Sequence, residues 1–224
     1  VSVAPRVVFL DALGTLLRLE PPAPRLVAAL AARGVTVSEA AADAALRAEI
    51  AYYRAHHHEA RDLATLAGLR ERCAAVLARE LPVDVPDVHG VLMASLAFTP
   101  FPEVVAVLKA LRAAGLRLFV VSNWDVSLHE ALATTGLAPL LDGALSSAEA
   151  GAAKPDPAIF ARALERAGDG LTAADAVHVG DEPVDLDGAR AAGIAPVLVR
   201  FREPPPSGVP VLGDLTGLPS LILP

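Results

Sequence analysis

The chain has 224 residues, 19 Lys plus Arg against 26 Asp plus Glu for a net charge of −7, and 54% hydrophobic residues, alanine foremost. That length allows one large domain or a core with an insertion. The acidic balance argues against nucleic acid as a partner, and no apolar run reaches the roughly 18 residues that a membrane span needs. No basic segment followed by an apolar one opens the chain, so no secretory signal is expected. The single cysteine, Cys73, has no internal disulfide partner, which fits a reducing cytoplasm. Leu69, Val76 and Leu77 around it predict a helix core position. All basic residues except Lys109 and Lys154 are arginine.

The first predicted element is the apolar run of RVVFLDALGTLL, Arg6 to Leu17, which ends at Asp11. A short continuous apolar run reads as a strand buried on both faces, as in a parallel sheet. Gly14 permits the tight turn behind it. The prolines Pro21, Pro22 and Pro24 mark an exit into another unit. From Leu26 to about Leu96 the sequence has helical period, cut by Gly34, Gly68, Pro82 and Pro86 into about four helices, with no strand-like run. Pro100 and Pro102 mark the return. The expected division is therefore a core of 1–17 and 98–224 with a helical insertion of 18–97.

Beyond the return, Glu103 to Ala114 is amphipathic through Val104, Val107, Leu108 and Leu111, with Gly115 as its stop. A buried strand LRLFVVSN ends in Ser122 and Asn123. A helix from about Val126 to Thr135 precedes a weaker strand at Gly143 to Ser147. In AEAGAAKPDPAIF, Asp156 is the expected N-cap and Pro157 the first helical residue of a helix ending near Gly168. AVHVGDEPVDLDGARAAG predicts a strand, an acidic turn and a helix stopped by Gly193. APVLVR is a further strand, and Pro204 to Pro206 introduce a surface loop and docked tail. Strands alternating with helices specify an α/β fold, a parallel sheet with right-handed crossovers. If the first and fourth core strands are neighbours, Asp11, Asp181 and Asp185 converge at a switch point.

Four pieces carry the candidate chemistry. Asp11 at a strand end is a nucleophile or metal ligand, or merely caps a loop. Ser122 and Asn123 offer a hydroxyl and an amide to an anion, or simply begin a loop. Lys154, a lysine in a chain that otherwise chooses arginine, suggests a need for a compact point charge. In GDEPVD, Asp181 and Asp185 flank Glu182 across a strand-to-helix turn; such acids repel unless a cation joins them, and Mg²⁺ suits oxygen ligands, whereas a solvated acidic turn is the plain alternative. His56-His57-His58 occupy successive helix positions pointing about 100° apart, which predicts a polar helix face rather than a metal site. Trp124 is expected in packing rather than as a pocket wall.

Taken in order, DALGTLL, VSNWD, KPDPAIF and GDEPVD followed by GARAAG resemble the motifs of the haloacid dehalogenase-like hydrolase superfamily. The resemblance spans the whole chain. It implies a Rossmann-like core with helices on both faces of the sheet and, in the insertion, a helical cap of the first type. It further implies that Asp11 is a covalent nucleophile and that Ser122, Asn123 and Lys154 hold the transferring group. Mg²⁺ would bridge Asp11, the Leu13 carbonyl and Asp181, with Asp185 supporting the metal or Lys154. The expected partner is a small phosphorylated substrate, and oligomeric state is left open.

One position departs from the pattern. Family phosphatases carry a general acid two residues after the nucleophile, where this chain has Leu13. Dehalogenases of the family lack that acid too, but typically lack the metal acids that this chain keeps. Phosphonatases need a cap lysine, and none lies between Leu17 and Pro100. The expectation is a metal-binding, phosphatase-like site without its acid; a 2-haloacid dehalogenase and a catalytically weak binding protein are the alternatives.

Overall fold

Strand β1 (Val7–Leu10) is an inner strand of the main sheet in the computed structural model, which describes residues 5–82, 84–168, 170–204 and 207–223; all four of its side chains are buried. The other strands are β2 (Leu17–Leu19), β3 (Phe98–Pro100), β4 (Arg117–Ser122), β5 (Gly143–Ser146), β6 (Ala176–Gly180), β7 (Ala195–Val199) and β8 (Val211–Leu212). The helices are α1 (Pro22–Ala31), α2 (Glu39–His56), α3 (Leu63–Glu80), α4 (Val88–Ser95), α5 (Val104–Ala113), α6 (Leu128–Thr134), α7 (Ser147–Ala150), α8 (Ala158–Ala167), α9 (Pro183–Ala191) and α10 (Leu218–Ile222). By compactness the chain divides into Val1–Arg18 with Pro100–Pro224, and Leu19–Thr99.

The first unit holds a six-stranded sheet in the order β5-β4-β1-β6-β7-β8, with every pairing parallel. Phe9 stands level with Phe119 on one side and His178 on the other. A central parallel strand has both faces covered, so its sequence is apolar throughout rather than alternating. On one face Val7, Phe9, Phe119 and Val121 pack with Ile159, Phe160 and Ala163 of α8. By alternation Val8, Leu10, Leu118 and Val120 point to the opposite face and are equally buried. The fold is α/β and Rossmann-like, with helices on both faces. Val104, Val107, Leu108 and Leu111 form the buried stripe of α5, as their spacing predicts.

The second unit contains α1 to α4, packed through Leu26 and Leu30, Ala42 and Leu46, Leu69 and Leu77, and Val91 and Leu92. Three of these helices start on side-chain caps: Ser38 accepts from the Ala41 N–H, Asp62 forms a reciprocal box with Thr65, and Asp87 accepts from the Gly90 N–H. Cys73 is buried in α3.

From Leu26 to Leu96 the described residues hold no strand, as expected, but just outside that stretch β2 and β3, unread in the sequence, pair as a two-stranded ribbon. Other local expectations are corrected. The joins expected after 17 and 97 compare with compact units dividing after Arg18 and Thr99. The three histidines do not form a polar helix face: α2 ends at His56, and the chain tightens into a 3₁₀ turn over His57–Glu59 that buries His57. His56 instead stacks on Tyr52 at 4.0 Å, with Nδ1 hydrogen-bonded to the Tyr52 carbonyl. Helix α8 begins one residue later than expected, with Asp156 accepting from the Ala158 N–H at 2.9 Å. The tail adds strand β8, unread in the sequence, and docks through buried Leu215 and Leu218. Pro205 and Pro206 of the proline run lie outside the described residues.

Candidate active site at the carboxyl edge of the sheet

Asp11 follows β1, and its N–H donates to the Val179 carbonyl of β6 at 2.9 Å, so the neighbouring strand fixes its backbone. Its side chain is buried. Both of its side-chain hydrogen bonds fall on Oδ1: the Ser122 hydroxyl donates at 2.9 Å and the Lys154 ammonium at 2.6 Å. Ser122 is the last residue of β4, which pairs with β1, so adjacent strand ends bring the two together.

Lys154 is buried, and its ammonium has three donors. They meet Asp11 Oδ1 at 2.6 Å, the Val121 carbonyl at 3.0 Å and Asp185 Oδ1 at 2.5 Å. Asn123, expected beside an anion, uses its side-chain amide on the Lys154 backbone, accepting from the N–H at 2.7 Å and donating to the carbonyl at 2.9 Å.

Asp185 lies in the first turn of α9. Glu182 and Asp185 form a capping box in which Asp185 Oδ2 accepts from the Glu182 N–H at 3.0 Å. Its Oδ1 takes both Lys154 and His178 Nε2, the latter at 2.9 Å. A Cβ at Gly180 would fall inside the Asp185 carboxyl, so only glycine lets the strand end approach this closely. Gly14, at φ +87°, does the same beside Asp181: a side chain there would occupy the carboxylate's space. Thr15, fully buried, donates to Asp181 Oδ1 at 3.3 Å.

Charge sets the character of the cluster. Asp11, Asp181 and Asp185 each offer an oxygen, all within 4.8 Å of one another. Two full charges at 4.8 Å repel by about 3.5 kcal/mol at an effective dielectric constant of about 20. Burial, and then the charges of Asp11, Asp185 and Glu182, push Asp181 up to about 7. Burial also raises Asp11, against the pull of Lys154. Burial alone would raise Asp185, but the Lys154 ammonium and His178 hold it well below the ordinary carboxylate range. Lys154 is held above its ordinary value by the two carboxylates, which outweigh its own burial. With all three acids ionised, a single lysine leaves a double negative charge. A small divalent cation fits that deficit and that all-oxygen donor set.

The structure thus brings together Asp11, Ser122, Lys154, Asp181 and Asp185, with Asn123 behind Lys154. Leu13, 37% exposed, lies on the loop after β1. Arg200 braces that loop, donating to the Gly14 and Thr15 carbonyls at 3.4 and 3.1 Å, pairing with Glu103 and lying 3.6 Å over the Phe101 ring. Trp124 is buried, and its indole N–H donates to Ser127. Sequence reading missed Thr15, Arg200 and His178. For His178 there was a signal: it is the one polar side chain in an otherwise apolar strand, and a buried polar group calls for a partner.

A parallel sheet with a buried acid–lysine cluster at its carboxyl edge defines an α/β protein whose candidate site lies at the strand ends. A family model, haloacid dehalogenase-like hydrolase, matches residues 5–193, and the chain belongs to that hydrolase family. It is similar to haloacid dehalogenase-like hydrolase domain-containing protein 3 of Mus musculus, 34% identical over 219 residues, covering 91% of this chain and 85% of the relative. It is also similar to the plasmid phosphoglycolate phosphatase of Cupriavidus necator, 39% identical over 131 residues, covering 55% of this chain and 56% of that protein. Among solved structures, an L-2-haloacid dehalogenase superposes with a TM-score of 0.73 at 26% identity, over 99% of this chain and 100% of that one. Among the described residues, no helix is long and apolar enough to cross a membrane.

Proposed function

We propose that the chain is a Mg²⁺-dependent phosphatase that transfers the phosphoryl group of a small substrate to Asp11 and then to water, without a general acid at Leu13. The observation that carries this reading is the cluster of Asp11, Asp181 and Asp185 beside Lys154. A cation at such a cluster would stabilise the charge that builds where a carboxylate attacks a phosphoryl group, whereas displacing halide from carbon transfers no oxyanion. The likeness to phosphoglycolate phosphatases supports the same side.

In this reading Ser122 and Lys154 hold Asp11 Oδ1, which leaves Oδ2 to attack phosphorus. The bond from phosphorus to the leaving oxygen breaks, and the electron pair goes to that oxygen. Water then attacks the phosphoaspartate, which frees inorganic phosphate and restores Asp11. Lys154 supplies positive charge beside the nucleophile throughout. Asp11, Asp181 and the Leu13 carbonyl would hold Mg²⁺, and when bound it neutralises charge shared by the nucleophile and the phosphate. Asp185 acts chiefly through Lys154, since its hydrogen bonds already occupy both oxygens. We read Leu19–Thr99 as the cap that selects the substrate, and the single buried cysteine fits a cytoplasmic enzyme.

A second reading, 2-haloacid dehalogenation, is favoured by Leu13, because a halide leaves without a proton. A panel of phosphorylated metabolites and 2-haloacids, assayed with Mg²⁺ and with excess EDTA, separates the two. Phosphate release that needs Mg²⁺ and falls below a tenth in Asp11→Asn is expected. Halide release in EDTA would replace this reading with the second.

A further inference from the structure

We propose that His178 is a positioning residue: by donating from Nε2 to Asp185 Oδ1 it fixes the carboxylate that in turn holds the Lys154 ammonium against Asp11. The inference rests on reading Asp11 and Lys154 as the working pair.

His178 lies in β6, level with Phe9 of the central strand, and its side chain is wholly buried. A polar ring in such a place is retained at a cost unless something needs its hydrogen bond. Phe160 packs against it edge-on, with ring centroids 4.8 Å apart. Nδ1 has no hydrogen-bond partner, so the ring's sole polar contact among the described residues is Nε2 to Asp185 Oδ1 at 2.9 Å. An ionised carboxylate only accepts, so the proton of this bond sits on Nε2.

The position of that bond matters. Oδ1 of Asp185 is the same oxygen that takes Lys154 at 2.5 Å, while Oδ2 is held by the Glu182 N–H. With His178 and Glu182 on opposite oxygens the carboxylate cannot rotate, and Lys154 meets an acceptor of fixed direction. The other two acceptors of Lys154 are Val121, on β4, and Asp11 itself. Without His178, the lysine would settle between a mobile partner and the nucleophile. Outer-shell partners that orient metal ligands account for about 10- to 100-fold in affinity or activity, and the same order is expected of His178 behind Lys154.

The chain's own composition supplies a direct readout. It has two lysines, exposed Lys109 and buried Lys154, so in a ¹⁵N-lysine-labelled chain a slowly exchanging side-chain ammonium is assigned to Lys154 without ambiguity. Lys154, held by three acceptors, should give a slowly exchanging ammonium signal. Three variants are compared with the full chain: His178→Leu, which cannot donate; His178→Gln, whose amide nitrogen reaches the Nε2 position; and His178→Asn, which stops one atom short. On p-nitrophenyl phosphate with Mg²⁺, Leu and Asn should lower kcat about 10- to 100-fold with KM within about twofold. Both should lose the slow Lys154 signal, and Gln should restore both measures. If Leu does not fold, the Gln and Asn pair decides alone. Should Leu or Asn retain the slow ammonium signal and wild-type kcat, or Gln restore neither, His178 is a packing residue and the proposal falls. A wild type inactive on every phosphate tells against the reaction proposed above; the ammonium signal still decides for or against His178.

Discussion

The side-chain amide of Asn123 grips the backbone of Lys154 at both ends, at 2.7 Å through its oxygen and 2.9 Å through its nitrogen. Two loops that follow different strands are thereby tied where the lysine enters the site. Asn123→Ala would leave the N–H and carbonyl of a largely buried residue without these partners, at a cost of about 1–3 kcal/mol for each group that water cannot reach. Urea melts should show the variant less stable by that order, and kcat should fall more than KM rises. A variant equal to wild type in both measures would mean that the loop is held elsewhere.

Metal affinity should depend most on Asp181. Asp181→Ala should weaken Mg²⁺ binding at least tenfold, about 1.4 kcal/mol, by calorimetric titration. In wild type, Mg²⁺ should raise the melting temperature, since a ligand that prefers the folded state must do so. An identical Mg²⁺ shift in the variant would remove Asp181 from the ligand set.

Leu13 predicts a leaving-group preference. General acid catalysis is worth about 10²- to 10⁴-fold, and most for poor leaving groups. The wild type should therefore favour acyl and aryl phosphates over alkyl phosphates. Leu13 is 37% exposed, so an aspartate there would keep contact with water instead of burying a charge. Leu13→Asp should then gain more on alkyl than on acyl phosphates. Equal gains, or a wild type indifferent to leaving group, would place the proton source elsewhere.

Glu49 offers a test of stability against pH in the helical unit. It is buried in α2, and burial raises its carboxyl above the ordinary value despite a bond from the Cys73 thiol. A raised folded-state value means that the native chain binds more protons in that interval, so stability falls as pH rises through it. The cost is absent below the unfolded-state value and complete above the folded one. Glu49→Gln should consequently be more stable than wild type at pH 8, with the advantage shrinking towards pH 4. An advantage independent of pH would point to packing instead of charge.

Much of the site is legible because strand-end residues announce themselves. Asp11, Ser122 and Asp181 each follow an apolar run, and Lys154 stands out against a background of arginine. What a linear reading cannot supply is partnership across the sheet. His178 and Asp185 meet because a strand and the first turn of the next helix fold onto each other, and the Arg200 side chain reaches back to the carbonyls of Gly14 and Thr15. Asn123 was visible as a residue, but its partner was not. The ribbon of β2 and β3 escaped notice because three-residue strands are too short to show a period of two. The burial of His57 is not legible because neither Gly nor Pro marks the end of α2 at His56, where the chain tightens into the 3₁₀ turn.

The central place of β1 also governs when the site can exist during synthesis. Both strands that flank it, Arg117–Ser122 and Ala176–Gly180, are made long after it, and the Leu19–Thr99 unit is complete before either. Such non-local pairing slows folding, since distant ends must meet before contacts reward them. On the ribosome, Val7–Leu10 is therefore an apolar segment without its partners, the kind that chaperones recognise and that aggregates when crowded. Moving the first strand next to its neighbours by circular permutation should shorten that wait, and faster refolding of such a chain would register it.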